Sequence, residues 1–405
     1  TNILATDVVA LTDVKLSANW MAAAGSGDED ERLFAAVAAV GEQFCPALGI
    51  TIPVGKDSLS MRTAWQDSGE AKSVTSPLSL LISAFSPVAD VRRTLTPQLD
   101  TTQETTLLLI DLGHGKNRLG GSALAQVYSQ LGDTAPDVDA ATLKNFAKVL
   151  RKLKTSGKLL AYHDRSDGGL LTTVLEMAFA SRSGLQLDIS ELPGSTLEKL
   201  FTEELGVVLQ VHVRDEQAVL RQLQRALGQH VYAIGRPLQQ QTISITDDWQ
   251  EVYKNTRVQL EQWWSRTSYE LQKLRDNPAT AKQEFTAIAD DADPGLTPAL
   301  SFKPVITRVH KRRPKVAIFR EQGVNGQVEM AAAFDYAGFT SVDVHLNDLI
   351  SGHTKLDDFV GLVACGGFSY GDVLSAGEGW AKTVLLHQIC GPCSATFLLA
   401  KIPLV

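Results

Sequence analysis

The chain has 405 residues, with 44% hydrophobic and 21% charged residues, which places it among folded proteins and excludes a disordered or fibrous role. At roughly 100–200 residues per domain it holds two to four domains. Lys and Arg total 38 against 46 Asp and Glu, a net charge of -8 that argues against nucleic acid or an anionic membrane as partner, though not against small phosphate ligands.

Residue 1 is Thr, and no charged-then-apolar leader follows, so the chain reads as processed or as a piece of something longer. The four cysteines, Cys45, Cys365, Cys390 and Cys393, are few and scattered, which suggests a reducing, cytoplasmic setting. No apolar run approaches the roughly 20 residues of a membrane helix, so no membrane role is expected.

In chain order, residues 27–44 read as a helix with acidic residues at its start, stopped by Pro46. ALGITIPVG (47–55) reads as a strand and a loop, and SPLSLLISAFSPV (76–88) as another strand. TTLLLIDLG (105–113) begins a new unit: a buried strand, the loop HGKNRLGGS, then the helix ALAQVYSQLG. A helix over 143–157, the strand KLLAYH (158–163), the loop DRSDGG and a helix over 170–184 follow, then LQLDISEL, a short helix and the strand LGVVLQVHV (205–213). This alternation fits a layered α/β or α+β domain. Residues 250–312 read as a helical, then irregular connector ending near the basic run KRRPK (311–315), which is read as a solvated linker end. Residues 315–346 are strand, loop, helix, strand, and FVGLVACGGFSYGD (359–372) is a strand into a Gly-rich loop, the opening of a parallel sheet with loops at its carboxyl ends.

Several segments could carry chemistry. Asp164-Arg165-Ser166-Asp167-Gly168-Gly169 follows a strand and opens a helix. Helix-terminal amides and paired glycines suit phosphate, and carboxylates there suit Mg²⁺ bridging phosphates, with a plain helix cap as the alternative. Gly55-Lys56-Asp57-Ser58 places a Lys in a Gly loop but is not a P-loop, and a plain turn reads equally well. Leu119-Gly120-Gly121-Ser122 could cradle phosphate or be a tight turn capped by Ser. Glu203 and Glu204 should face opposite ways, so they read as a solvated turn rather than an acid–base pair. Cys365 could be a nucleophile by composition, but it sits in an apolar run where a buried structural thiol is commoner. Cys390 and Cys393 form a CxxC without room for a redox fold or a second zinc-ligand pair.

Taken together, KLSANWMAAAG (15–25), ALGITIPVGKDSLSM (47–61), TSPLSLLISAF (75–85), LLAYHDRSDGGLL (159–171), LFTEELGVVLQV (200–211), ADDADPG (289–295), REQGVN (320–325) and ACGGFSYGDVLSAGEGWAK (364–382) closely resemble, in order, the large single-chain phosphoribosylformylglycinamidine synthase family of purine biosynthesis. The resemblance implies an ATP-dependent carbon–nitrogen ligase. It would convert formylglycinamide ribonucleotide, glutamine and ATP to the amidine, glutamate, ADP and phosphate, through an iminophosphate that ammonia displaces. It also implies the second half of an aminoimidazole-ribonucleotide-synthetase-like synthetase, of α/β and α+β class, followed by the start of a flavodoxin-like class I glutamine amidotransferase domain. The expected boundaries are 1–104 (ATP-binding-like), 105–250 (C-terminal-like), 251–312 (connector) and 313–405 (amidotransferase).

By the same resemblance, Asn2 and Asp164 would be Mg²⁺ ligands and Ser166 an ATP contact, while ADP could fill a structural site. No catalytic residue is assigned. The Glu that the family places before the Asn falls ahead of Thr1, and the GVCNGC-like nucleophile elbow and the His-x-Glu pair are not found. Beyond Lys382 the text departs from the pattern, for which a truncated or shifted reading frame is the expectation. The chain is thus expected to be a fragment, inactive alone, of an enzyme that is monomeric at full length. A non-catalytic nucleotide-binding module and a partner-dependent remnant marked by Trp263 and Trp264 are the alternatives.

Overall fold

The computed structural model describes residues 1–303, 313–388 and Pro392, and the chain divides into two compact units, Thr1–Asp293 and Pro294–Val405. No helix of the described residues is long and apolar enough to cross a membrane.

The first unit opens with a short 3-10 turn, Asn2–Ala5, and strand β1, Lys15–Met21. Helix α1, Glu29–Ala38, starts on three acidic residues, which suit its positive end. A wider π turn over Ala39–Phe44 carries it into α2, Cys45–Leu48. Pro46 therefore does not stop the helix as expected. It lies in the first turn of α2, where its missing N–H costs little, and Gly49 ends the run at φ 75. Strand β2 runs Thr51–Ser58, β3 Arg62–Asp67, β4 Glu70–Thr75 and β5 Ser79–Phe85. They form a three-stranded sheet in the order β2-β1-β5 and a separate β3–β4 hairpin. Gly55-Lys56-Asp57-Ser58 is thus strand, not loop: Lys56 pairs with Asn19 and Asp57 with Trp20 in the parallel β1–β2 register.

Strand β6, Thr105–Asp111, leads to a five-residue helix α3, Ala123–Val127, and then to α4, Ala140–Thr155. Next come β7, Leu159–Arg165; α5, Gly169–Ser181; β8, Gly184–Asp188; α6, Thr196–Phe201; β9, Gly206–His212; and α7, Val213–Leu227. Strands β10, Val231–Leu238; β11, Thr242–Asp247; and β12, Gln250–Thr256, complete a seven-stranded sheet in the order β12-β11-β8-β10-β6-β9-β7. Within this sheet only β8 and β11 pair in parallel, so it is of α+β type. The run LLLI in β6 is continuous because both faces are covered. Leu108 and Ile110 join one core with Phe146 and Leu150 of α4 and Leu223 of α7. Leu107 and Leu109 join the opposite core with Leu170, Val174 and Met177 of α5.

The segment after residue 250 begins with an edge strand before turning helical in α8, Arg257–Arg275, and α9, Pro278–Ala287. Tyr269 stacks on Phe285 at 4.4 Å between ring centres and joins the two helices. Fully buried Arg257 holds this region by bonding Gln241 at 2.8 Å, Glu261 at 2.6 Å and Asp291 at 2.8 Å.

The second unit is α/β. Strand β13, Lys315–Arg320; helix α10, Gln327–Tyr336; β14, Thr340–His345; α11, Leu346–Ile350; and β15, Gly361–Ala364, build a parallel sheet in the order β14-β13-β15. A short turn α12, Ser369–Asp372, and α13, Ala376–Leu386, follow. Of the basic run 311–315, Arg313 donates to Asp335 at 2.5 Å, whereas Lys311 and Arg312 lie outside the described residues, as do Cys390 and Cys393.

Candidate functional site

Strand β7 is the edge of the large sheet, hydrogen-bonded only to β9 within it. Its outer side meets the backbone at Thr96 and the start of the chain. The Tyr162 amide donates to Thr96 O at 3.0 Å, and the Tyr162 hydroxyl donates to Thr1 O at 2.8 Å. Burial, with Asp164 nearby, pushes the Tyr162 phenol well up, so it stays a donor. This docking delivers Asn2 to the carboxyl end of β7, where its Nδ2 donates to Asp164 Oδ1 at 3.2 Å across 162 residues of sequence.

Asp164 has a second neighbour. His163 Nδ1 lies 3.5 Å from Asp164 Oδ1, and its Nε2 lies 2.7 Å from Glu176 Oε2 on α5. Burial alone would lower the imidazole, but the bonds to Asp164 and Glu176 carry it up to about 9. Burial likewise raises the Asp164 carboxyl, yet hydrogen bonds from His163 and Asn2 outweigh it and hold the group below its ordinary range. Asp164 is therefore ionised at neutral pH, in a setting that accepts positive charge. Ser166 and Asp167 next to it are exposed. His163 and Glu176 are not singled out by sequence pattern. The only signal is His directly before the loop Asp.

The donor set fits Mg²⁺ in type. Asp164 offers carboxylate oxygens, and Asn2 offers an amide oxygen once its side-chain amide is turned. Two protein oxygens suit an ion that keeps waters and takes phosphate oxygens, not one caged by protein. Among the described residues no cluster of three or more His, Cys, Asp or Glu could cage one.

The glycines of the same loop do other work than phosphate binding. Gly168 N donates to Glu203 Oε1 at 2.8 Å and Gly169 N to Ser166 O at 2.9 Å, so both amides are occupied. At Gly169, φ is +68, and a Cβ would lie 2.6 Å from the Phe201 carbonyl carbon, so the residue is Gly to let two backbones meet. The Leu119–Ser122 turn resolves in the same way. Gly120 N and Gly121 N donate to Thr134 O and Leu131 O, and Ser122 caps α3 by accepting from Ala125 N at 3.2 Å.

Glu203 and Glu204 lie outside any strand and bond to different partners, and neither is a solvated turn residue. Glu203 Oε1 accepts from Gly168 N and from Ala123 N, both at 2.8 Å, and so caps two helices at once. Glu204 is fully buried and receives a two-pronged bond from Arg118, at 2.5 Å to Oε1 and 2.9 Å to Oε2. Amides and a guanidinium there offset the cost of burying charge. Arg165, inside the loop motif, is also structural: it is buried and donates to Asp111 Oδ1 and Glu204 O, each at 2.5 Å.

In the second unit, the loops after β13 and β15 pair with each other. Phe368 N donates to Gly323 O at 2.8 Å and Tyr370 N to Gln322 O at 3.0 Å, so these two amides are occupied within the fold. Cys365 is buried among Val316, Ile318 and Val324. Burial, reinforced by Asp343, pushes its thiol up, which leaves it a packed side chain rather than a nucleophile.

Three family models match the chain. Residues 1–87 match the FGAR-AT PurM_N-like domain, 106–248 the AIR synthase related protein C-terminal domain, and 313–398 the CobB/CobQ-like glutamine amidotransferase domain. The last match runs past Lys382, where the quoted resemblance stops. Among solved structures the chain is similar to T. maritima PurL complexed with ATP, at 11% identity and a TM-score of 0.43 over 63% of this chain and 38% of that one. It is also similar to PurLQS from Thermotoga maritima, at 11% identity and 0.43 over 82% and 45%. A third similarity is to E. coli HypE, a hydrogenase maturation protein, at 19% and 0.44 over 63% and 77%. The chain spans less than half the length of the two Thermotoga chains. Carrying these three domain types in this order, the chain belongs to the phosphoribosylformylglycinamidine synthase family.

Proposed function

We propose that the chain supplies the second synthetase half and the start of the glutaminase of an ATP-dependent ligase that turns formylglycinamide ribonucleotide into its amidine with glutamine as nitrogen donor. The observation that carries this reading is the meeting of Asn2 and Asp164 at the end of β7, beside exposed Ser166. Asp164 and Asn2 would hold Mg²⁺ by oxygen. The bound ion would supply charge neutralisation for nucleotide phosphates. Ser166 would donate its hydroxyl to a phosphate oxygen of ATP, or of ADP in a structural site. His163, tied to Glu176, keeps Asp164 ionised and oriented.

Glutamine hydrolysis is not expected from Cys365, which is buried and protonated. Calorimetric titration of the chain with ADP, with and without Mg²⁺, tests the proposal. Mg²⁺-dependent binding that Asp164→Ala weakens by roughly 10–100-fold is the expected result. Binding indifferent to Mg²⁺ and to Asp164→Ala would refute it.

A further inference from the structure

Helices α4 and α7 pack side by side with their apolar faces inward, and their outer faces gather positive charge on a chain whose net charge is -8. A cleft of about 770 Å³ between them is lined by Lys148 and Lys152 of α4 and Arg221 and Arg225 of α7. A second cleft of about 970 Å³ lies on the other flank of α4 and is lined by Lys144, Lys148, Arg151 and Lys152. Lys148 and Lys152 form the ridge shared by both, and no Asp or Glu lines either cleft.

Lys144, Lys148 and Lys152 follow one another at four-residue spacing, as do Arg221 and Arg225. Like charges at that spacing destabilise a helix by a few tenths of a kcal/mol each, so their accumulation works against folding unless an anion offsets it. The far wall of the second cleft is fixed in place. Lys154, the one lysine of this stretch that turns inward, donates to Leu4 O at 2.7 Å and also to Thr6 O, fastening the 1–12 segment to α4.

The occupant follows from size and chemistry. Both clefts have the volume of small-molecule sites rather than of a protein interface. In the second cleft Leu4, Val8 and Leu48 are buried in the fold, whereas Lys148, Arg151 and Lys152 on its α4 wall are exposed and cationic. Several ammonium and guanidinium groups around a shared ridge suit a compact anion with adjacent charges. We infer that the α4–α7 face is a binding site for a linear oligophosphate, seated on the Lys148–Lys152 ridge and separate from the Asn2–Asp164 site.

The test is equilibrium dialysis of the full chain against inorganic triphosphate and against ATP, with chelator present to exclude divalent cations. Wild type should bind triphosphate, and binding should weaken as KCl rises. Lys148→Glu/Lys152→Glu and Arg221→Glu/Arg225→Glu should each lose roughly tenfold or more in affinity with melting temperature retained, because all four side chains point to solvent. Asp164→Ala should bind triphosphate as wild type does, which separates this site from the Mg²⁺-dependent one. ATP binding tighter than triphosphate would identify a nucleotide as the source, and equal affinities a phosphate chain alone. No triphosphate binding by wild type, binding unchanged in both charge-reversal pairs, or loss in Asp164→Ala would each overturn the inference.

Discussion

Glu203→Ala is the substitution that most sharply tests how the loops before α3 and α5 are held. One carboxylate oxygen takes Gly168 N and Ala123 N at 2.8 Å each, tying the start of α5 to the start of α3. A hydrogen bond to a charged group is worth about 1.5–3 kcal/mol, and Glu203 is only half-buried, so the lower figure applies to each bond and the pair is worth about 3 kcal/mol. Glu203→Gln keeps a carbonyl oxygen in the same place and loses only the charge, a cost of about 1 kcal/mol. Exposed Glu191→Ala is the control and should stay within about 0.5 kcal/mol of wild type. Urea unfolding followed by far-ultraviolet circular dichroism gives all three values. If Glu203→Ala unfolds at the same urea concentration as Glu191→Ala, the shared cap does not hold the loops.

Further outcomes follow from the same contacts. Gly169→Ala should cost about 3 kcal/mol, because a Cβ would strike the Phe201 backbone at 2.6 Å on top of a strained φ of +68. Gly157→Ala, at φ +66 with open space around it, should cost only about 1 kcal/mol, and equal losses in thermal melts would contradict the close-approach argument. Burial raises the Asp247 carboxyl, but the bonds from Lys199 at 2.6 Å and Thr196 outweigh it and hold the group below its ordinary value of 3.8. The stability this group adds is therefore complete above pH 3.8 and lost as pH falls through the lower folded value. Unfolding titrations should show that acid loss shrink in Lys199→Met, and an unchanged slope would count against the pair. Cys365 should alkylate with iodoacetamide at neutral pH at least tenfold more slowly than a thiol in the urea-unfolded chain, read by peptide mass spectrometry, because it is buried and its thiol is pushed up.

Much of the element order was legible because two periodicities alternate cleanly between residues 105 and 213. The apolar run of β6 and the amphipathic spacing of α4 name themselves. Direction was less legible: alternation of strand and helix suggests parallel pairing, yet β6, β7 and β9 pair antiparallel. Gly55-Lys56 looked like loop because Gly and Lys are poor strand formers, but β1 supplies the ladder that overrides that preference. Pro46 looked like a stop because local sequence does not announce a π turn ahead of it. At the site, Asp164 and Ser166 were marked by their place between strand and helix. Asn2 came only through family resemblance, since no spacing rule links residues so far apart. The roles of Glu203, Glu204 and Arg165 were hidden for the same reason, as each is defined by partners on other elements.

The route by which Asn2 reaches Asp164 also sets when the site can exist. Its two halves lie 162 residues apart and meet only once the first residues dock on the outer side of β7. Closing so long a loop comes late, after the β6–β9–β7 ladder gives the segment an edge to settle on. Docking rests on bonds at Tyr162, Lys154 and Asn2 and on burial of Leu4 in the first core, so undocking gives up both. If Asp164 and Asn2 hold an ion as proposed, its affinity scales with the docked fraction, and amide exchange in residues 2–6 should slow when Mg²⁺ is added.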